Sequence, residues 1–117
     1  MTCQVHSFDP REGGTFRISL TYASAGIGKT TARTDTYSGH FVELVPNERV
    51  VEVDEFETTD AALQGKMRIT ITLSDEDGGT RIVGVHEGLP PGVSIEGNET
   101  GWRMALGKLA ALVESTL

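Results

Sequence analysis

The central part of the chain alternates apolar and polar positions in the way that half-buried β-strands do. The stretch TFRISLTYA, which begins at Thr15, puts every second residue on one apolar face: Phe16, Ile18, Leu20 and Tyr22. The stretch KMRITITLS, which begins at Lys66, repeats the pattern with Met67, Ile69, Ile71 and Leu73. Both stretches are therefore predicted to be strands with one buried face.

Other strand-like stretches are separated by short turn sequences. Residues 3–9 alternate weakly, residues 30–45 are rich in threonine and aromatics, and residues 49–57 follow the turn PNE. The sequence DEDGG joins residues 66–74 to residues 80–87 as a second hairpin. Within residues 30–45, Gly39 indicates a bulge or a close approach of another group to the backbone.

The tail of the chain changes from a period of two to a helical period. After GLPPGVS, which cannot continue a sheet, the change occurs at about Ser94 or Asn98. Apolar side chains then recur at helical spacing, at Trp102, Leu106, Leu109 and Val113. We predict a single α+β domain over residues 1–117, with about six antiparallel strands within residues 3–87. The curved sheet wraps around one long helix at about residues 95–115.

The stretch ASAGIGKT, residues 23–30, has the relaxed form of a phosphate-binding P-loop. In a P-loop, Lys29 and Thr30 begin a helix inside a parallel βαβ unit, and the helix N-terminus faces the phosphates. Here Ala23 replaces the first glycine, and the following residues alternate like a strand. We therefore interpret the segment as a hairpin loop.

Composition excludes several classes of protein. The chain of 117 residues has 17 acidic and 10 basic residues, and its net charge of −7 disfavours binding to nucleic acid. It has one cysteine, Cys3, and no apolar run long enough to span a membrane. The N-terminus lacks the pattern of a signal peptide, so a cytoplasmic location is expected.

Four stretches of the chain are similar to a known family: FDPREGGTFRISLTY, GHFVELVPNERVVEV, DGGTRIVGVHEGLPPG and NETGWRMALGKLAALVE. They closely resemble the bacterial homologues of the activator of the ATPase of the 90-kDa heat-shock chaperone, which belong to the SRPBCC superfamily. The resemblance runs from Cys3 to about Glu114. It implies the START-like helix-grip fold, known from the birch-pollen allergen, with a hydrophobic cavity between the sheet and the C-terminal helix.

The resemblance implies three function classes, of which we favour non-catalytic binding of an apolar small molecule or lipid. The alternatives are a co-chaperone or stress-linked domain that binds other proteins, and a cyclase-like or hydrolase-like enzyme that uses the cavity. The sequence shows no nucleophile motif, and His6, His40 and His86 lie on separate strands without metal-ligand spacing. No catalytic residue, metal site or cofactor is therefore predicted, and a non-enzyme is favoured.

Six residues are predicted to contact the ligand, because alternation and helical spacing turn them inward. They are Phe16, Ile18, Met67, Ile69, His86 and Trp102. For each apolar member, ordinary core packing is the competing interpretation. For His86 the competing interpretation is a histidine with a hydrogen bond in the core.

Acidic residues are frequent from Glu43 to Asp60, and we interpret them mostly as a solvated face and turn. The alternative is a docking surface for a basic protein partner. Members of the family normally begin with a strand and a helix-loop-helix, whereas this sequence begins just before the second family strand. An uncovered sheet edge and apolar surface would result. We therefore expect a homodimer, with a natural chain that begins further upstream as the alternative.

Overall fold

The computed structural model describes residues 2–23, 29–31 and 33–115. These residues form a six-stranded sheet, a short 3₁₀ helix at Ala61–Leu63 and an α-helix, α1, at Ile95–Glu114. The strands are β1 (Thr2–Phe8), β2 (Thr15–Thr21), β3 (Thr34–Val45), β4 (Arg49–Phe56), β5 (Met67–Glu76) and β6 (Gly79–Glu87). The predicted α+β fold, a curved antiparallel sheet with one C-terminal helix, is confirmed.

The strands lie in the sheet in their order along the chain, and each is antiparallel to the next. Two of the connections between neighbouring strands are tight turns. Each contains residues that tolerate a left-handed backbone. Asn47 has φ 64° between β3 and β4, whereas Asp77 and Gly78 have φ 46° and 81° between β5 and β6. An Asp-Gly pair suits the two-residue hairpin turn, which needs positive φ at both positions.

One face of the sheet, here called the inner face, carries the helix. The Trp102 ring of α1 lies 3.8 Å from the point where a Cβ on Gly84 of β6 would be. Because residues paired directly across antiparallel strands point to the same side, the register extends this face across the sheet. Gly84 pairs with Ile71, which pairs with Val50 of β4. Glu52 and Asp54 follow Val50 in the same phase along β4, and Asp54 connects through Gly39 of β3 to Phe16 of β2.

Helix α1 begins with a capped first turn, where the Ser94 hydroxyl accepts a hydrogen bond from the Gly97 N–H at 3.0 Å. The half-buried residues of α1 lie four positions apart, at Asn98, Trp102, Leu106 and Ala110. The predicted face is therefore right for Trp102 and Leu106. It is wrong for Leu109 and Val113, which are 38% and 51% exposed, because α1 meets the sheet along a narrow line. None of the described helices has the length and apolar character needed to cross a bilayer.

The core lies on the inner face around three aromatic rings. Phe16 is 3% exposed, and its ring centroid lies 5.1 Å from that of Phe41 and 6.3 Å from that of Tyr37. The Phe16 ring covers Gly39, since a Cβ there would lie 2.8 Å from Phe16 Cζ. The close approach predicted at Gly39 is thus present, whereas the β3 bulge occurs between Phe41 and Glu43.

Candidate functional site

The six predicted ligand contacts share the inner face. Phe16, Met67 and Ile69 are buried, whereas Ile18, His86 and Trp102 are half-buried. Ile69 pairs directly with His86, and Trp102 contacts His86 from the helix. Phe16 and Ile18 lie three strands away on β2. The structure therefore places four of the residues together near the helix, since Met67 also contacts His86, and two on the far side of the same face.

His86 joins the sheet to α1. Its Nδ1 accepts a hydrogen bond from the Trp102 indole Nε1–H at 2.9 Å, and its Nε2 lies 3.1 Å from the Met67 sulfur. An indole N–H can only donate, so Nδ1 has no proton and the hydrogen is on Nε2. Burial lowers the pKa of His86 below its usual value, which favours the same neutral form. The interpretation of His86 as a hydrogen-bonded histidine agrees with this geometry.

Two carboxyl groups, Glu52 and Asp54, lie on the inner face. They lie two residues apart on β4, so both side chains point to the same side. Glu52 pairs with Phe41 and Ile69, and Asp54 pairs with Gly39 and Met67. The structure thus places two acids among core residues.

Burial and proximity change the protonation of this carboxyl pair. Asp54 is 4% exposed, and its Oδ1 atom is buried without a hydrogen-bond partner among the described residues. Burial, and then the charge of Glu52 and hydrogen bonding to it, raise the pKa of Asp54 to about 8. Burial also raises the pKa of Glu52. At neutral pH Asp54 is therefore protonated, and the pair shares one negative charge.

The sequence-based interpretation of the acidic residues as a solvated face is wrong for Asp54 and for half-buried Glu52. Alternation could have found them, since Glu52 and Asp54 are in phase with Val50 and Phe56 on β4. This alternation was missed because acidic residues are frequent in this region. Other members of the run are engaged on the surface, where Glu43 pairs with Arg49 and Glu57 pairs with Arg17.

Substitution of Asp54 by asparagine is expected to change how stability depends on pH. The folded state keeps the Asp54 proton up to about pH 8, whereas the unfolded chain loses it near the ordinary value of 3.8. Between these values the folded state binds more protons, so the free energy of unfolding falls as pH rises. The wild type is therefore expected to lose stability as pH rises through this range, and Asp54→Asn is expected to lose less.

Urea unfolding at several pH values between about 4 and 8 measures this difference. Glu55→Gln is the matched control, because Glu55 is the next residue on β4 and its side chain is exposed. In Glu55→Gln, the free energy of unfolding is expected to depend on pH as it does in the wild type. Equal slopes in the wild type and Asp54→Asn would show that Asp54 ionises normally in the folded protein.

The described residues of the P-loop-like segment contact the sheet. The Lys29 ammonium group lies 3.0 Å from Asp35 Oδ2, and the Lys29 N–H donates to Asp35 Oδ1 at 2.6 Å. The Tyr22 hydroxyl also donates to Asp35 Oδ2 at 2.6 Å, and the Thr30 hydroxyl accepts from the Thr36 N–H. These groups hold the start of β3, and no helix follows Lys29 within residues 29–31 and 33–45. Residues 24–28 lie outside the described part of the chain.

A histidine and a serine also meet on the opposite, outer face. His6 Nε2 lies 2.8 Å from the Ser19 hydroxyl, which lies 2.7 Å from the Thr36 hydroxyl. Because Ser19 and Thr36 are both buried, this chain of hydrogen bonds links β1, β2 and β3 rather than presenting a reactive hydroxyl. Among the described residues, no three histidine, cysteine or acidic side chains are grouped to hold a metal ion.

Two surface clefts lie away from the helix. One, of about 450 Å³, lies along β3 and β4 and includes His40, Val53 and Asp54. The other, of about 690 Å³, lies at the hairpin ends around Pro46 and Asp75. Neither contains Trp102 or His86, so neither is the cavity expected between the sheet and the helix.

The fold and the sequence agree with one family of known proteins. The family model for Activator of Hsp90 ATPase homolog 1-like protein matches residues 1–114. The chain belongs to this family. Comparison with curated proteins gives no significant match.

Two solved structures are similar to this chain. A crystal structure of a Chromobacterium violaceum protein has a TM-score of 0.82 and 37% identity, covering 96% of this chain and 72% of that one. A crystal structure of a Mycobacterium smegmatis protein has a TM-score of 0.56 and 18% identity, covering 93% of this chain and 62% of that one. The second structure shows a likeness of fold alone.

Proposed function

We propose that this member of the family binds an apolar small molecule or lipid on the inner face of its sheet, without catalysing a reaction. The observation that carries the proposal is the shared face of the six candidate residues, with a half-buried Trp102 at one end and Ile18 at the other. Ligand sites are mostly apolar with few polar groups, and the inner face has this composition. The carboxyl pair supplies the polar groups.

Octanol is a suitable probe for this proposal, because it is mostly apolar and uncharged. We expect it to change the fluorescence of Trp102, the single tryptophan of the chain. Ile71→Ser is expected to weaken binding roughly fivefold, since Ile71 pairs with Gly84 under the Trp102 ring and serine removes apolar contact area.

Val85→Ser is the matched control. Val85 belongs to β6 but lies on the outer face, where it is 46% exposed. It should leave octanol affinity unchanged. Calorimetry and Trp102 emission should give the same dissociation constants. Absence of octanol binding, or an equal loss in both variants, would contradict binding on the inner face.

The family description favours a second candidate, a co-chaperone domain that acts on the ATPase of a heat-shock chaperone. The acidic residues would then be the docking surface. The structure leaves fewer of them available, because Asp54 is buried and Glu43 and Glu57 are paired with arginines. This is why we favour the first candidate. The enzyme alternative has its best support in the carboxyl pair, whose unequal protonation is a property of acid–base sites.

The expected homodimer and the cytoplasmic location stay predictions. Apolar side chains are exposed on the edge strand β1, at Val5 and Phe8, and on α1, at Met104 and Leu112. Exposed edges and apolar surface of this kind are commonly covered by a second copy of the chain. Such a dimer is compatible with the proposed ligand site.

A further inference from the structure

The carboxyl pair on β4 carries a negative charge without a positively charged partner. Five ion pairs join described residues, and none of them includes Glu52 or Asp54. Asp35, another acid of the inner face, already binds Lys29 and Tyr22. The charge of the pair is therefore available to a ligand.

The surroundings of the pair consist of aromatic and apolar groups. Tyr37 and Phe41 approach from β3, and Met67 and Ile69 approach from β5. The titratable group that faces the pair from β3 is Tyr37, whose pKa is raised to about 12 by burial and then by the charges of Asp54 and Glu52. From β5 no titratable side chain faces it, and His86 on β6 lies beyond Ile69. The Lys29 ammonium group lies 5.1 Å from the centroid of the Phe56 ring on β4, but it pairs with Asp35, and no described cation forms an ion pair with Glu52 or Asp54.

The unbonded oxygen of Asp54 specifies the kind of group that fits. A buried acceptor without a donor costs free energy that a ligand donor would recover. Glu52 offers further acceptor positions next to it, and aromatic faces attract cations. An ammonium group supplies three N–H donors and a positive charge, which satisfies both requirements at once. A neutral hydroxyl supplies one donor and no charge, and a carboxylate would be repelled.

We propose that the ligand of the inner face is an amphipathic amine, whose ammonium group binds between Glu52 and Asp54 while its apolar part covers the core residues toward α1. This inference rests on the proposed function, because it specifies the ligand of the same face. When the ammonium group binds, the Asp54 carboxyl releases its proton to water. Two carboxylates then face one cation, and charge and protons balance.

Three probes of equal chain length test the proposal on the full chain: octylammonium, octanol and octanoate. Octylammonium is expected to bind about tenfold more tightly than octanol, and octanoate more weakly than octanol. Both Glu52→Gln and Asp54→Asn should remove the advantage of octylammonium and leave octanol affinity nearly unchanged. In Glu55→Gln, on the exposed side of the same strand, octylammonium should still bind more tightly than octanol.

Proton release gives a readout that does not require a variant to fold. Calorimetry of the wild type near pH 7, in two buffers with different ionisation enthalpies, should show release of close to one proton with octylammonium and none with octanol. The dissociation constant of octylammonium should fall as pH rises from about 6 to about 8, because the Asp54 proton then competes less. The octanol constant should stay level.

The outcomes separate the two proposals. If octanol binds and octylammonium does not bind more tightly, the amine proposal is refuted and the proposal of apolar binding is kept. If octylammonium binds more tightly than octanol but its binding releases no proton, the carboxyl pair is not its site. The same conclusion follows if octylammonium still binds more tightly than octanol in both carboxyl variants, where these fold. If none of the three probes binds, apolar binding on the inner face fails, and the amine proposal fails with it.

Discussion

Replacement of Gly39 by alanine is expected to destabilise the protein by about 3 kcal/mol or more, because the new methyl group has no space. A Cβ at this position would overlap the backbone carbonyl oxygen of Val53 and would lie 2.8 Å from Phe16 Cζ. The carbonyl belongs to the ladder between β3 and β4, so neither group can yield without moving a strand or the central aromatic ring. Urea unfolding measures the loss.

Gly101→Ala is the control for this prediction. Gly101 lies in α1, and no atom lies within 4 Å of the position where its Cβ would be. Alanine is preferred over glycine in a helix, so this variant is expected to gain roughly 0.5–1 kcal/mol. If both glycine variants have wild-type stability, the contact between Phe16 and the β3 backbone is looser than the structure shows.

Truncation of Phe16 to alanine is expected to cost about 3–5 kcal/mol, the range measured for buried phenylalanine. The ring is almost fully buried and contacts Tyr37 and Phe41 on the neighbouring strand. Its removal leaves a cavity next to Gly39, and β-strands on both sides limit how far the cavity can close. Thermal or urea unfolding gives the change in stability.

Phe8→Ala tests whether burial, rather than residue type, sets that cost. Phe8 pairs with Phe16 across β1 and β2 and packs edge-on against Phe41 at 5.8 Å, but it is 56% exposed. We expect a loss of about 1 kcal/mol, in proportion to the smaller area removed from water. If Phe8→Ala and Phe16→Ala lose similar amounts of stability, the Phe8 side chain is more deeply buried than the structure shows.

The sequence by itself determined the elements of this protein. Alternation from Thr15 onward and the Asp77-Gly78 turn are local signals, since strand period and positive φ depend on a few neighbouring residues. The period of the tail located α1 and turned Trp102 toward the sheet for the same reason. The inward direction of the other five candidate ligand contacts also followed from alternation.

Only the tertiary structure decided which polar groups belong to the inner face. Asp54 is buried because Gly39 and Met67 lie opposite it on neighbouring strands, a pairing that depends on register. The ionisation of a carboxyl depends on desolvation and on nearby charges, and both are set by residues distant in sequence. For the same reason, the ion pair between Lys29 and Asp35 could be identified only once the pairing of the strands was known. Local patterns report the direction of a side chain, whereas its environment is a property of the assembled sheet.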